Sequence, residues 1–192
     1  MKKEDIIVNI LIVSFFIALI GIFDFIDNRK KVEIKEEAPK TAEVSYNTEE
    51  DEIVFEGMTL DELAEKLNRS LKSDIAGTGY YYAKYSMQYK IDPYLAVAIS
   101  LHETGCNNKC SPLVVKCNNV GGQKFKPSCG GGAYGRNDTL EQGIERFVRN
   151  IAVGYYAYGL TTPELMVDKY EGTGSKTWAP AVNRYINSIK SR

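Results

Sequence analysis

Residues 89–105 read YKIDPYLAVAISLHETG and contain a strong helix-start signal. Aspartate is a strong helix N-cap and proline is favoured at the first helical position, so Asp92 and Pro93 together predict a helix start. The glycine that closes the stretch is typical of a residue that ends a helix. The predicted helix, 93–104, is apolar on nearly every face until His102. A helix of this kind belongs at the buried centre of a domain.

Further helical patterns flank this stretch on both sides. Before it, the capping-box sequence Thr59-Leu-Asp-Glu62 predicts a helix over 60–71, and a second helix is expected over 80–89. After it come a helix over 140–158 capped by Thr139 or Asp138, one that begins at Thr162-Pro163-Glu164, and a last one over 178–189. No convincing strand occurs, although a short hairpin within 113–135 is an open alternative. The predicted fold class is therefore mainly α.

A long loop, 105–135, interrupts the helical pattern and is rich in Gly, Cys, Asn and Pro. Loops of this length usually carry function. The loop contains the four cysteines of the chain, which are Cys106, Cys110, Cys117 and Cys129. They can form two disulfides or offer four thiolates to one metal ion, and their spacing is not that of a zinc ribbon. Disulfides are favoured if the domain lies outside the cell, and sequence proximity favours the pairs 106–110 and 117–129.

The N-terminal segment has the composition of a membrane anchor. Residues 6–26 are almost entirely apolar. As a helix they would span about 31 Å, which matches the hydrocarbon core of a bilayer. A cleaved signal peptide is the alternative, but its usual small-residue cleavage site is missing. We therefore predict one transmembrane helix within 1–27, a charged flexible tether over 28–57 and a folded domain over 58–192.

Two opposing signals bear on the side of the membrane where this domain lies. Two lysines precede the apolar segment, whereas Arg29, Lys30 and Lys31 follow it. The positive-inside rule would then place the domain in the cytoplasm. Long domains cross the membrane largely regardless of flanking charge, and clustered cysteines suit an oxidising exterior. We predict a single-pass protein with its domain outside the cytoplasm.

Glu103 is the residue whose position best suits chemistry, because it closes a buried helix just before the polar loop. Desolvation and the negative end of the helix dipole both disfavour the carboxylate, so the pKa of Glu103 should be raised. A carboxyl that keeps its proton near neutral pH can protonate the leaving oxygen of a glycosidic bond. A glutamate that only bonds loop amides is the structural alternative. His102 points to another helix face, so a His–Glu relay is not expected.

Four motifs follow one another after residue 78. The first is the run 89–105, with its Asp-Pro start and Glu-Thr-Gly end, and the second is CNNVGGQ, 117–123. The third is YGRNDTLEQGI, 134–144, and the fourth is DKYEGTG, 168–174, followed by Trp178, Val182, Asn183 and Tyr185. Over about 78–190 this order resembles the lysozyme-like superfamily of bacterial peptidoglycan glycosidases. It looks most like the endo-β-N-acetylglucosaminidases, with features of the soluble lytic transglycosylases.

The resemblance implies a lysozyme-like helical domain that cleaves β-1,4 bonds of bacterial cell-wall glycan strands, and the predicted anchor would hold this domain at the cell membrane. It implies Glu103 as the catalytic acid and Tyr170 as a second catalytic residue. Substrate contacts are implied for Asn118, Asn119, Gly122, Gln123 and Tyr134. Peptidoglycan would be the partner, a protein of the cell envelope is a further open partner, and neither a cofactor nor a metal is implied. The net charge of -1 offers no field for nucleic acid.

The chain departs from the family pattern directly after the Glu-Thr-Gly end of the first motif. The family usually has Ser or Trp there, whereas this chain has Cys-Asn-Asn-Lys-Cys at 106–110. A second catalytic carboxylate is not evident either: Glu141 is the leading candidate, with Asp138, Glu145 and Glu171 as alternatives. If none serves, the N-acetyl group or 6-hydroxyl of the substrate would capture the intermediate, which leaves hydrolysis and lytic transglycosylation both open. A non-catalytic wall-binding module and a cytoplasmic zinc-dependent adaptor are the rival interpretations.

Overall fold

The computed structural model describes residues 52–192, which form a helical domain. Its helices are α1 Leu60–Asn68, α2 Gly79–Tyr89, α3 Pro93–Thr104, α4 Pro112–Cys117, α5 Leu140–Gly154, α6 Pro163–Tyr170 and α7 Trp178–Lys190. Two short 3-10 turns, Ser73–Ile75 and Tyr156–Tyr158, complete the regular structure. In this part of the chain β-pairing is limited to isolated bridges. The mainly α fold class is confirmed.

Helix α3 is the centre of the domain. The Asp92 side chain accepts hydrogen bonds from the backbone N–H groups of Tyr94 at 2.7 Å and Leu95 at 3.3 Å. At the other end, Gly105 has a φ of +68° and ends the helix in the left-handed region. Every residue from Pro93 to Leu101 is buried. Helix α7 packs on α3, while α2 packs between α1 and α5, so the predicted bounds and central place of α3 are confirmed.

A tight turn ahead of α1 belongs to the same core. The backbone N–H of Val54 donates to the carbonyl of Met58 at 2.9 Å. The Phe55 ring meets the edge of Tyr94 with centroids 5.3 Å apart, and the Tyr94 hydroxyl donates to Glu56 at 3.0 Å. The folded domain thus begins before residue 58, and the last part of the predicted tether is one of its elements.

Other differences from the expected elements fall at helix ends and in the cysteine-rich loop. Helix α1 ends at Asn68 instead of 71. Helix α5 ends at Gly154 because Tyr155 leaves helical geometry, with φ -130° and ψ -60°. The loop contains the short helix α4, which its composition did not predict, and its only β-pairing in the described residues is the bridge between Ser128 and Gly135.

The predicted membrane helix, residues 6–26, and most of the predicted tether lie outside the described residues. Among the helices of 52–192, none is both long enough and apolar enough to span a bilayer.

Candidate active site

An open cleft of about 500 Å³ lies at the C-terminal end of α3. Glu103 lines it from α3, and the loop segment 121–125 lines it from the cysteine-rich loop. One face of α5 and the side chains of Tyr155 and Tyr170 complete the lining. The volume is in the range of small-molecule sites, which is roughly 300–1,000 Å³.

The Glu103 carboxyl stands at this cleft, where the residue keeps access to solvent. Its Oε1 accepts a hydrogen bond from the indole Nε1 of Trp178 at 3.2 Å. Desolvation by the surrounding protein raises the pKa of Glu103, the Trp178 bond and nearby His102 oppose that rise, and the charge of Glu171 adds to it. The net direction is upward, so this carboxyl keeps its proton to a higher pH than a free glutamate.

A row of aromatic rings supports the Glu103 carboxyl. Trp178 is 1% exposed, and Tyr170 stacks on it with ring centroids 4.5 Å apart. Tyr155 lies against Tyr170, with centroids 5.5 Å apart. Burial raises the pKa of both tyrosines, and the nearby Glu103 charge raises it further. Both side chains are therefore phenols at neutral pH, with a hydroxyl hydrogen to donate.

The loop wall of the cleft is organised by one buried side chain. Asn119 is 1% exposed, and its Nδ2 donates to the carbonyl oxygens of Gln123 at 2.8 Å and Gly135 at 2.9 Å. Its Oδ1 accepts from the backbone N–H of Gln123 at 2.9 Å. Asn119 was expected to contact substrate, but the structure places it beneath the lining, where it positions the backbone of Gln123.

Two further features hold the loop on the domain. The Tyr82 hydroxyl donates to Ser100 at 2.7 Å, and the Ser100 hydroxyl donates to the carbonyl of Val120 at 2.9 Å. The disulfide Cys106–Cys110 precedes α4, and Cys117–Cys129 joins the last residue of α4 to the later part of the loop. This pairing is the predicted one. It uses all four thiols of the chain and leaves none for the zinc site of the adaptor alternative.

One face of α5 forms the third wall. It presents Arg146, Arg149, Asn150 and Val153 to the cleft, at the i, i+3, i+4 and i+7 positions that share one side of a helix. The Arg146 Nε donates to the side-chain oxygen of Asn137 at 3.0 Å, and its guanidinium lies 4.2 Å from the centroid of the Phe125 ring. The opposite face of α5 is buried in the core.

The structure brings together some of the predicted site residues and separates others. Glu103, Tyr170, Gly122 and Gln123 all line the cleft. Tyr134 is 41% exposed and lies beside Gly122, just outside the lining. Asn118 donates to the carbonyl oxygens of Asn137 at 3.1 Å and Asp138 at 3.2 Å, so it joins the loop to the start of α5 instead of facing the cleft.

The candidate second carboxylates lie outside the lining. Glu141 accepts from the Tyr85 hydroxyl at 2.7 Å and pairs with Lys84 at 3.4 Å. Glu145 accepts from Tyr89 at 2.9 Å, and Asp138 is exposed at the start of α5. Glu171 acts on Glu103 through its charge without lining the cleft. Among the described residues, Glu103 is the one carboxylate in the lining.

Sequence reasoning missed three contributors to the site: Trp178 as the hydrogen-bond partner of Glu103, Tyr155 as a ring against Tyr170, and the arginine face of α5. A signal existed for the arginines, because polar side chains recur at helical spacing beside the buried face. No local pattern encodes the contacts of Trp178 and Tyr155, since both depend on how distant segments cross.

No protein-family model matches the chain, and no curated protein sequence matches it.

Proposed function

We propose that this chain cleaves β-1,4-glycosidic bonds of peptidoglycan glycan strands as an endo-β-N-acetylglucosaminidase, with Glu103 as general acid. One observation carries the proposal. The Glu103 carboxyl faces the cleft with a pKa raised by desolvation and is held by the Trp178 indole at 3.2 Å. A protonated carboxyl fixed in a cleft wall can give its proton to the leaving glycosidic oxygen as the bond breaks.

The surroundings of Glu103 suit a sugar ligand. Tyr155 offers a flat apolar face that can cover a pyranose ring, and both Tyr155 and Tyr170 carry a hydroxyl. Gln123 and Asn150 offer side-chain amides from the two facing walls, and amides can both donate to and accept from sugar hydroxyls. Tyr170 keeps its proton and can donate to the acetamido group of the substrate.

A second candidate is lytic transglycosylation on the same strands. It is favoured by the single carboxylate in the lining within 52–192. A two-carboxylate mechanism needs a partner about 5–10 Å from the acid. If no second carboxylate serves, the substrate itself captures the oxocarbenium-like centre. Capture by the N-acetyl group leads to hydrolysis, whereas capture by the 6-hydroxyl gives a 1,6-anhydro product.

We also propose that residues 6–26 anchor the chain as a single-pass protein of the bacterial cell membrane, with the domain outside the cytoplasm. The two disulfides support an oxidising compartment. An anchor would keep the domain close to the membrane and to the wall beside it, where it could serve a machine of the cell envelope.

The test uses the full-length chain in a mild detergent with purified peptidoglycan, and identifies released muropeptides by mass spectrometry. Products with reducing-end N-acetylglucosamine support the glucosaminidase, and 1,6-anhydro-muramic ends support the transglycosylase. Glu103→Gln should abolish release while leaving the fold intact. Glu65→Gln changes an exposed glutamate on α1 and should release muropeptides like the unchanged chain.

Two outcomes would contradict these assignments. If the oxidised full-length chain binds peptidoglycan and releases no fragment, the glycosidase proposal is wrong and the wall-binding module replaces it. If Glu103→Gln releases fragments at the normal rate, another residue is the acid.

A further inference from the structure

The cleft is lined by more cationic than anionic side chains, and proton donation by Glu103 does not require these cations. Lys124, Arg146 and Arg149 line it together with a single carboxylate, Glu103. None of the three cations has an ion-pair partner within residues 52–192, where the ion pairs join Lys84 to Glu141 and Lys190 to Glu56. We call Lys124, Arg146 and Arg149 the cationic wall.

The cationic wall lines the same cleft as the acid. The charges that bear on the Glu103 carboxyl belong to His102 and Glu171. Cations close to Glu103 would favour its ionised form and oppose its role as a proton donor. Three cations on the wall of one cleft fit an anionic group on the ligand.

The protein orients part of this wall. Arg146 is held by the buried Asn137 side chain at 3.0 Å and by the Phe125 ring at 4.2 Å. Arg149 follows three residues later on the same helix face, and the Lys124 ammonium lies 6.0 Å from the centroid of the Tyr134 ring. An oriented guanidinium matches the two oxygens of a carboxylate.

We infer that the cationic wall binds a carboxylate of the glycan strand, so that the chain selects strands containing muramic acid over neutral β-1,4-linked N-acetylglucosamine polymers. The inference rests on the proposed function and names the residues that set its substrate specificity. Such strands offer carboxylates on their stem peptides, or on the lactyl group of muramic acid that has lost its peptide. Chitin oligosaccharides share the β-1,4 linkage and the acetamido groups but have neither carboxylate.

The activity test compares the full-length chain with Lys124→Gln/Arg149→Gln on three substrates: strands with stem peptides, strands stripped of them by an amidase, and chitin oligosaccharides. The ratio of kcat/KM on carboxylate-bearing strands to that on chitin should fall about tenfold, as expected for two partly exposed charge contacts. A fall confined to peptide-bearing strands identifies the stem carboxylates, and one confined to stripped strands identifies the lactyl group. An unchanged ratio on both overturns the inference.

The matched control is Lys72→Gln/Arg184→Gln. It removes the same charge from exposed positions outside the cleft and should keep the ratio of the unchanged chain. If the control lowers the ratio as much as the cleft variant, net charge and not the cationic wall is responsible, and the inference fails.

A binding experiment separates this inference from the proposed catalysis. Full-length Glu103→Gln protein is sedimented with peptidoglycan before and after its carboxylates are amidated with a carbodiimide and ammonia. Amidation should weaken binding about tenfold, and it should have little effect when Lys124→Gln/Arg149→Gln is added. If no substrate is cleaved, the glycosidase proposal fails, while amidation-sensitive binding still supports the cationic wall. Equal binding before and after amidation overturns it.

Discussion

The proton of Glu103 is subject to two opposing influences at the scale of single residues. Partial burial disfavours the charged form, whereas the Trp178 indole, 3.2 Å from Oε1, favours it. A general acid must hold its proton until the leaving group takes it, and must then be stable as a carboxylate. The indole serves the second need, because a hydrogen bond to a charged acceptor is stronger than one to a neutral acceptor.

Trp178→Phe separates these influences, since it keeps a ring against Tyr170 and removes the indole donor. The bond lowers the pKa of Glu103, so its loss should raise that pKa. Proposed activity needs the protonated carboxyl and falls as pH rises through this pKa. The alkaline limb of the rate profile should therefore move to higher pH, which muropeptide release across a pH series measures. An unmoved limb, or a shift to lower pH, would contradict the role given to Trp178.

Glu103→Gln should stabilise the domain at neutral pH. A raised pKa means that the folded chain binds this proton more tightly than the unfolded chain. The resulting stability is fully present below the unfolded pKa of about 4.3 and is lost as pH rises through the folded pKa. Glu103→Gln removes the ionisable group, so the variant does not lose this stability as pH rises. Thermal unfolding should give the variant a higher Tm at neutral pH, and the gap should close near about pH 4. A gap that stays constant with pH would argue against this linkage.

At the scale of elements, helices with strong end signals were predicted from the sequence. Helix α3 has an aspartate cap, a proline at its first position and a glycine after its last, and all three act through neighbouring backbone alone. Helix α4 has a proline at its start too, but it spans only Pro112–Cys117 and ends on a disulfide cysteine. Such a short helix depends on tertiary support, which the sequence pattern does not display.

The candidate site was also predictable only in part. Glu103, Tyr170, Gly122 and Gln123 were found through motifs, and each lines the cleft. Asn119 belongs to the same motif as Gln123 but lies buried beneath it. A motif states which residue types recur together, and does not state which of them faces the ligand. That distinction depends on the backbone path of 119–123.

Gly143 is a point of close approach between α5 and the cysteine-rich loop. A Cβ added there would lie 1.8 Å from the backbone oxygen of Asn118, so backbone would have to move. Gly143→Ala should destabilise the domain by about 3 kcal/mol and lower activity, because the loop wall shifts with Asn118. Urea unfolding and muropeptide release measure the two effects.

Gly154→Ala is the matched control on the same helix. An added Cβ there has its nearest neighbour at 3.8 Å, and alanine is favoured over glycine in a helix by up to about 1 kcal/mol. This variant should be neutral or stabilising. Equal destabilisation by the two substitutions would show that the close approach at Gly143 is not the cause.

At the scale of the whole domain, its first turn and its last helix meet. Glu56 in the turn lies 3.8 Å from the Lys190 ammonium, and Lys190 also lies over the ring of Tyr94 at 5.1 Å. On the same side, the Lys66 ammonium donates to the carbonyl of Lys190 at 3.1 Å. The turn therefore links α3 to α7, and α1 contacts α7 beside it.

Removal of the turn should weaken the whole domain. A chain that begins at residue 59 loses the contacts of Val54, Phe55 and Met58 with the core and the Glu56 bond to Tyr94. A chain that begins at residue 52 keeps them. The shorter chain should be less stable by about 2 kcal/mol, seen as a lower Tm. Equal Tm values would show that the turn adds nothing and that the domain begins at α1.

The first turn and α7 lie close enough for the domain to be circularly permuted. Because Glu56 and Lys190 lie within side-chain reach, a short glycine-serine linker could join the ends of the domain. New termini could then be opened in the exposed stretch Gly172–Gly174 between α6 and α7. Such a circular permutant would keep every helix and reverse the order in which α7 and α1 leave the ribosome.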